Sequence, residues 1–201
     1  MIAIILAAGL GTRLRPLTLY RPKPLINYRQ NTLIGHQIEK LLAANVAKIH
    51  INTAHGQLMH DYLAVAYPDA PITIFQEPFL APFGTHESIR KMIHHYNIDE
   101  PFILISADIY TDFDYQHLTL SGHHDGIAWL IADENQSDFG IKNDLLTSKG
   151  YFTYANIGIY QPHVFQGPTK DFRGALLAHQ IKTQQLQDLW QNVGDYPTIV
   201  Q

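Results

Sequence analysis

Residues 6–25 read LAAGLGTRLRPLTLYRPKPL, and they hold the densest chemistry in the chain. Gly9 and Gly11 let the backbone close on an anion, while Arg13 and Lys23 bring positive charge to the same loop. Pro16, Pro22 and Pro24 fix φ and so hold those charges rather than leaving them merely nearby. Two familiar phosphate loops do not fit. The ATPase loop needs lysine and a hydroxyl directly after its second glycine, whereas Gly11 is followed by Thr12 and Arg13. The dinucleotide fingerprint needs a third glycine where Leu14 stands, and an acid near the end of the second strand, where the sequence reads INTAHG. Farther along, Asp108 follows the run FILIS, where a carboxylate at a strand's carboxyl end can offer a hard oxygen to a cation such as Mg²⁺. The chain has 12 histidines, but their arrangement carries no zinc motif: His94/His95 and His123/His124 are adjacent pairs whose rings diverge, and HESIR lacks the second histidine of H-E-x-x-H.

The surrounding elements must bring loop and carboxylate together. Ile2–Ala7 reads as a buried strand, Lys48–Thr53 as a second, Ile72–Phe75 as a third and Pro101–Asp108 as a fourth. Between them, Leu33, Ile34, Ile38, Leu41 and Leu42 recur at helical spacing behind the cap candidate Thr32; Leu58, Tyr62 and Val65 mark a second helix, and Ile89, Met92, Ile93 and Tyr96 a third. Strands alternating with such helices imply right-handed crossovers, and ligands at the carboxyl ends of the strands. The second half changes character: GIAWLIAD and YFTYANIGIY read as strands without long helices between them, and Phe172–Ile181 as one more helix. The expected fold is a Rossmann-like α/β three-layer sandwich with a mixed, mainly parallel sheet.

Bulk composition narrows the classes further. The 201 residues, 46% of them hydrophobic, suffice for one domain with a full core. A formal charge of −4 lacks the basic excess that a nucleic-acid surface needs, so any anion site must be local. The absence of cysteine excludes disulfides and thiolate catalysis. No apolar stretch reaches the roughly 20 residues that span a bilayer, and no basic segment precedes the first apolar run, so a cytoplasmic protein with no membrane or nucleic-acid partner is expected.

The opening run resembles the signature of the sugar nucleotidyltransferase family, G-x-G-T-R-L-x-P-x-T followed by P-K-P. Gly9, Gly11, Thr12, Arg13, Leu14, Pro16 and Thr18 match the first part; Arg21, Pro22, Lys23 and Pro24 match the second. SADIYTDFDY, FTYANIGIYQPHVF and LWQNVGDYPTI look closest to the branch that uridylylates N-acetylmuramate 1-phosphate. The resemblance implies a GT-A-like fold in which residues 1–110 hold a nucleoside triphosphate, UTP in that branch, and 111–201 a sugar 1-phosphate, in a monomer or small homo-oligomer. It implies that Leu6, Ala7, Ala8, Gly9, Gly11 and Thr12 wrap the nucleotide, with Gly84 and Thr85 along base and ribose. Arg13 would steady the leaving pyrophosphate, Lys23 would contact the reacting phosphates, and Mg²⁺ would sit on Asp108. The sugar would meet Asn156, whose amide both donates and accepts, together with Gly158 and Arg173, whose guanidinium suits the lactyl carboxylate of muramate. Two departures stand out. His86, Glu87 and Ser88 replace small residues of the family beside the base, and Asn192 stands where the family's second metal-binding aspartate is expected, with Asp195 three residues on. They leave open a transferase acting on another sugar 1-phosphate or on phosphocholine, and a nucleotide-binding regulatory homologue with little turnover.

Overall fold

The computed structural model describes residues 1–79, 81–120, 122–133 and 138–194. The first half runs β1 (Ile2–Leu6), α1 (Leu17–Tyr20), β2 (Asn27–Tyr28), β3 (Asn31–Thr32), α2 (Leu33–Ala43), β4 (Lys48–Thr53), α3 (Gly56–Ala66), β5 (Ile72–Gln76) and α4 (Thr85–Tyr96). It continues with β6 (Phe102–Ser106), β7 (Ile109–Thr111), β8 (Gly126–Ala132), β9 (Phe139–Lys142) and β10 (Leu145–Tyr160). The chain then forms α5 (Phe172–Leu177), β11 (Ile181–Gln185) and β12 (Trp190–Asn192).

The central sheet has the order β11-β8-β10-β6-β1-β4-β5, with β9 paired to the long β10. β1 lies parallel between β4 and β6, and β5 continues the parallel set, whereas β10 runs antiparallel to both β6 and β8. The sheet is mixed and mainly parallel in its first half, a Rossmann-like α/β arrangement.

Alternation within the strands builds the two outer layers. Ala3, Ile5, Ile103 and Ile105 face one way, onto Ile34, Ile38 and Leu41 of α2 and Met59 and Leu63 of α3. Ile4, Phe102 and Leu104 face the other, onto Ile89, Met92 and Ile93 of α4 and Ala175 and Leu176 of α5. Each such isoleucine or leucine, fully removed from water, contributes about 1.5–3 kcal/mol. Thr32 caps α2 as its spacing suggests, its Oγ1 accepting from Gly35 N at 3.0 Å.

Three features differ from the sequence expectation. The helix marked by Leu58, Tyr62 and Val65 is present as α3, but Leu58 and Val65 are exposed and Met59 and Leu63 carry its buried face. Helix α5 stops at Leu177, and Ile181 opens a strand that extends the sheet parallel to β8. The sequence does not announce the pair formed by β7 and β12, since three-residue strands carry no readable period.

His50 on β4 gives the fold a pH signature. Its Nδ1 lies 2.5 Å from Thr73 Oγ1 and its ring stacks on Tyr96 at 3.9 Å. Burial, then the nearby Lys48 and His95, pulls its pKa down to about 4. The unfolded chain therefore binds a proton near pH 6.5 that the folded chain refuses until about pH 4, so stability falls as pH drops through that window. His50→Gln is expected to remove on the order of 2 kcal/mol of the acid sensitivity at pH 5. Thermal unfolding at pH 7.5 and 5 checks this, and equal losses in parent and variant would contradict it.

Candidate functional site

Leu6 is paired in register with Asn52 of β4 and with Ser106 of β6, so three parallel strands end side by side. The chain beyond those ends is stitched together: Ala7 N donates to Asn52 Oδ1 at 2.6 Å, and Ala107 N to Leu6 O at 3.0 Å. A cleft of ≈ 230 Å³ opens there, bordered by Ala7–Gly9, Lys23, Asn52, Glu77, Gly84, Ser88 and Asp108. It continues into a second space of ≈ 210 Å³ bordered by Gly9, Gly11, Thr12, Arg13, Lys23, Asp108 and Gly194.

The loop between β1 and α1 is folded back on itself. Gly11 has φ +61°, and a Cβ there would stand 2.8 Å from Thr18 Cγ2 and 3.0 Å from Lys23 Cβ. Thr18 Oγ1 donates to Gly11 O at 2.8 Å, closing the fold. This close approach sets the stem of Lys23 against the loop and carries its Nζ to 2.7 Å from Asp108 Oδ2. The ammonium side chain is only 9% exposed and the carboxylate 35%. Asp108 sits two residues past the end of β6, in the turn before β7.

The β7/β12 pair explains how Asn192 reaches this turn. Asn192 is the register partner of Ile109, and Val193 N donates to Asp108 O at 2.8 Å. A Cβ on Gly194 would stand 3.1 Å from both Arg13 Nη2 and Asn192 Oδ1, so these two side chains converge on the Gly194 backbone. Asp195 lies outside the described residues. The donor set beside the loop is thus one carboxylate and one amide oxygen, and no group of three or more His, Cys, Asp or Glu suited to a metal occurs among the described residues. Two hard oxygens fit a Mg²⁺ ion that takes its remaining ligands from phosphates and water, and do not make an all-protein cage.

Two cleft residues escaped the sequence reading. Asn52 Nδ2 donates to Glu77 Oε1 at 2.7 Å, while Glu77 Oε2 accepts from Phe83 N at 2.9 Å. Both side chains are buried, and the Asn52 amide thereby ties the loop after β1 to the chain after β5. Their only signal was a polar residue at the carboxyl end of a parallel strand, without a motif around it.

The three departures along α4 resolve individually. Gly84, at φ +81°, precedes the helix with open space on its Cβ side, and Thr85 is the first helical residue. His86 turns inward against Phe165, its Nε2 buried without a partner. Glu87 turns away to accept from Arg90 Nε and Nη2, both at 2.7 Å. Ser88 alone borders the cleft, so the space there is narrowed by one hydroxyl rather than by three larger side chains.

Of the residues expected at the sugar, only Asn156 lies on the cleft. It occupies the irregularity of β10 between Tyr154 and Gly158, with φ +59°, and borders a branch shared with Leu6, Thr85 and Ser106. Gly158 does not face that space: a Cβ there would run into the Tyr160 side chain, so the glycine makes room for a core ring. Arg173 also departs from expectation. Its Nε donates to Asp138 O at 2.9 Å and its Nη2 to Ser148 O at 2.8 Å, which clamps α5 to the β9/β10 hairpin.

This geometry agrees with the sequence comparisons. Residues 2–142 match the family model described as nucleotidyl transferase. The chain belongs to that family. It is 29% identical over 220 residues to the N-acetylmuramate alpha-1-phosphate uridylyltransferase of Neisseria meningitidis, covering 96% of this chain and 93% of the relative. It is 34% identical over 146 residues to the mannose-1-phosphate guanylyltransferase catalytic subunit beta of Dictyostelium discoideum, spanning 70% of this chain but only 40% of that protein. Among solved structures, the inositol-1-phosphate CTP transferase of T. maritima superposes with TM-score 0.82 at 16% identity, covering 98% of this chain and 90% of that one. A putative glucose-1-phosphate thymidylyltransferase of Bacillus anthracis gives 0.79 at 17%, covering 100% and 93%. These last two establish the fold.

The two loop glycines of this family member make a discriminating pair. Gly11→Ala forces an L side chain into the left-handed region against Thr18 and is expected to cost about 1–2 kcal/mol. Gly9→Ala, with no atom within 4 Å of its Cβ position, is expected to change stability by less than ~0.5 kcal/mol. Denaturant unfolding of both variants checks this, and equal effects would contradict the loop geometry.

Proposed function

We propose that the protein transfers a nucleotidyl group from UTP onto a sugar 1-phosphate and releases pyrophosphate. The carrying observation is the Lys23–Asp108 pair at 2.7 Å, set where three parallel strands end and beside a glycine loop that presents Arg13. Uridylyl transfer is favoured by the similarity to the Neisseria enzyme, which spans nearly both chains.

In this reading the attacking group is an oxygen of the sugar phosphate, already anionic at neutral pH. The bond formed is from that oxygen to the α-phosphorus, and the bond broken is from α-phosphorus to the bridging oxygen that leaves with pyrophosphate. No proton has to be removed, so the work of the chain is alignment and neutralisation. Lys23 balances the transferred phosphate and Arg13 the departing pyrophosphate. The backbone of Gly9 to Thr12 holds the triphosphate, with Leu6 to Ala8 beneath it and Gly84 and Thr85 along the nucleoside. Asp108 and Asn192 would hold Mg²⁺, which when bound supplies charge neutralisation between the two phosphate-bearing substrates.

Pyrophosphate release, measured with each of the four nucleoside triphosphates against a panel of sugar 1-phosphates and phosphocholine, tests the assignment. UTP with a sugar 1-phosphate is expected to give the highest kcat/KM, and release with phosphocholine alone would overturn the acceptor class. Lys23→Ala and Arg13→Ala are each expected to lower kcat at least ~100-fold, Lys23→Ala also weakening triphosphate binding because a fixed charge acts in the ground state too. An undiminished rate in a folded variant would remove that residue from the site. Asn192→Asp adds a negative charge beside Asp108 and is expected to reduce the Mg²⁺ concentration for half-maximal rate. An unchanged requirement would exclude position 192 as a ligand.

A further inference from the structure

We propose that His163 and His179 form a two-histidine site for a divalent transition-metal ion such as Zn²⁺, separate from the cleft. His163 lies in the helical turn Pro162–Phe165 and His179 just past the end of α5, so the chain brings them together from either side of that helix. Their ring centres are 5.5 Å apart. Zn²⁺ binds imidazole nitrogen at about 2.0–2.1 Å in tetrahedral geometry, which sets two imidazoles on one ion with their centres roughly 5 Å apart.

The hydrogen-bond partners decide which ring nitrogens are free. His163 Nε2 stands 3.0 Å from Asp125 Oδ1, and His179 Nδ1 stands 2.9 Å from Ala175 O. A carboxylate and a carbonyl only accept, so each of those nitrogens carries its ring's proton. The lone pairs of the neutral rings are therefore on His163 Nδ1 and His179 Nε2, and neither nitrogen has a hydrogen-bond partner among the described residues. An outer N–H held by a carboxylate or a backbone carbonyl is what fixes tautomer and orientation in metal-ligating histidines. Both rings have it.

Asp125 supplies the frame. Its N donates to Gln180 O at 3.2 Å, its Oδ2 accepts from Gln180 N at 2.8 Å, and its O accepts from Gln161 N at 2.8 Å. One residue thus ties down both segments that carry the histidines. The His163 side chain is 54% exposed and that of Asp125 28%, so an ion can reach the rings from solvent and keep water in its remaining positions. Imidazole suits Zn²⁺, Ni²⁺ or Cu²⁺, whereas Mg²⁺ prefers oxygen. The pair is also remote from the transfer chemistry. Gly126, next to Asp125, is the register partner of Tyr160, and Tyr160 that of Phe102 at the first residue of β6, whereas the cleft opens beyond the last residues of β1 and β6. A bound ion pins the end of α5 to the turn after β10 and stabilises the folded chain.

Calorimetric titration of the full chain with Zn²⁺, in a buffer without phosphate, tests the site. His163→Gln keeps an N–H at the Nε2 position and His179→Asn keeps one at the Nδ1 position, so each preserves the hydrogen bond and removes the free ring nitrogen. Each is expected to weaken Zn²⁺ binding at least ~10-fold and to abolish the rise in Tm that Zn²⁺ gives the parent. Asp125→Asn, with both rings present, is expected to weaken binding by ~10–100-fold. With Cu²⁺, electron paramagnetic resonance of the parent is expected to show coupling to two imidazole nitrogens, and of either histidine variant to one. Absence of saturable Zn²⁺ binding, or binding unchanged by His163→Gln and His179→Asn, would overturn the proposal, as would an equal loss with His94→Gln at an exposed position of α4.

Discussion

The contact between Lys23 Nζ and Asp108 Oδ2 joins residues 85 positions apart, and the rest of the site is organised to make it possible. The carboxylate arrives because β6 lies parallel to β1 and ends level with it. The ammonium arrives because Gly11 adopts a left-handed conformation and lets Thr18 and the Lys23 stem pack against the loop. A mostly buried ammonium needs a counter-charge, and Asp108 provides one. An incoming phosphate offers Lys23 a second anion, so the pair is a charge arrangement already in place at the strand ends.

Around that pair the cleft is divided by charge. The loop end holds Arg13 and Lys23, the end beneath α4 holds the Glu77 carboxylate and the Asn52 amide, and the branch at Asn156 is neutral. The proposed reading sets the triphosphate at the loop end, where the positive charge lies. No histidine borders any of the three spaces, consistent with a reaction whose nucleophile is already ionised. The same division explains why the departures at residues 86–88 leave the cleft open: His86 enters the core and Glu87 is drawn off by Arg90.

Legibility in the sequence followed the length of the signal. The glycine loop, the parallel strands and helices α2 to α4 were readable because each combines several residues in one spacing, and Asp108 because it terminates an unbroken apolar run. Asn52 and Glu77 were not, since a single polar residue after a strand acquires meaning only when the sheet places strand ends together. Position 158 shows the reverse limit. A glycine beside a candidate sugar contact suggests close approach of ligand, but the atom that approaches is the hydroxyl of Tyr160, two residues along the same strand. Arg173 has the right charge at the right place in the chain, and only the position of the β9/β10 hairpin decides that two carbonyls take its donors.

The central claim is a direct displacement in which the two substrates are aligned together and no nucleotidyl group rests on the protein. Exchange of labelled pyrophosphate into UTP tests it most directly. The account predicts label in UTP only when a sugar 1-phosphate or the corresponding nucleotide sugar is present. Exchange with UTP and pyrophosphate alone would reveal a covalent intermediate and contradict it, as would the absence of exchange under every condition.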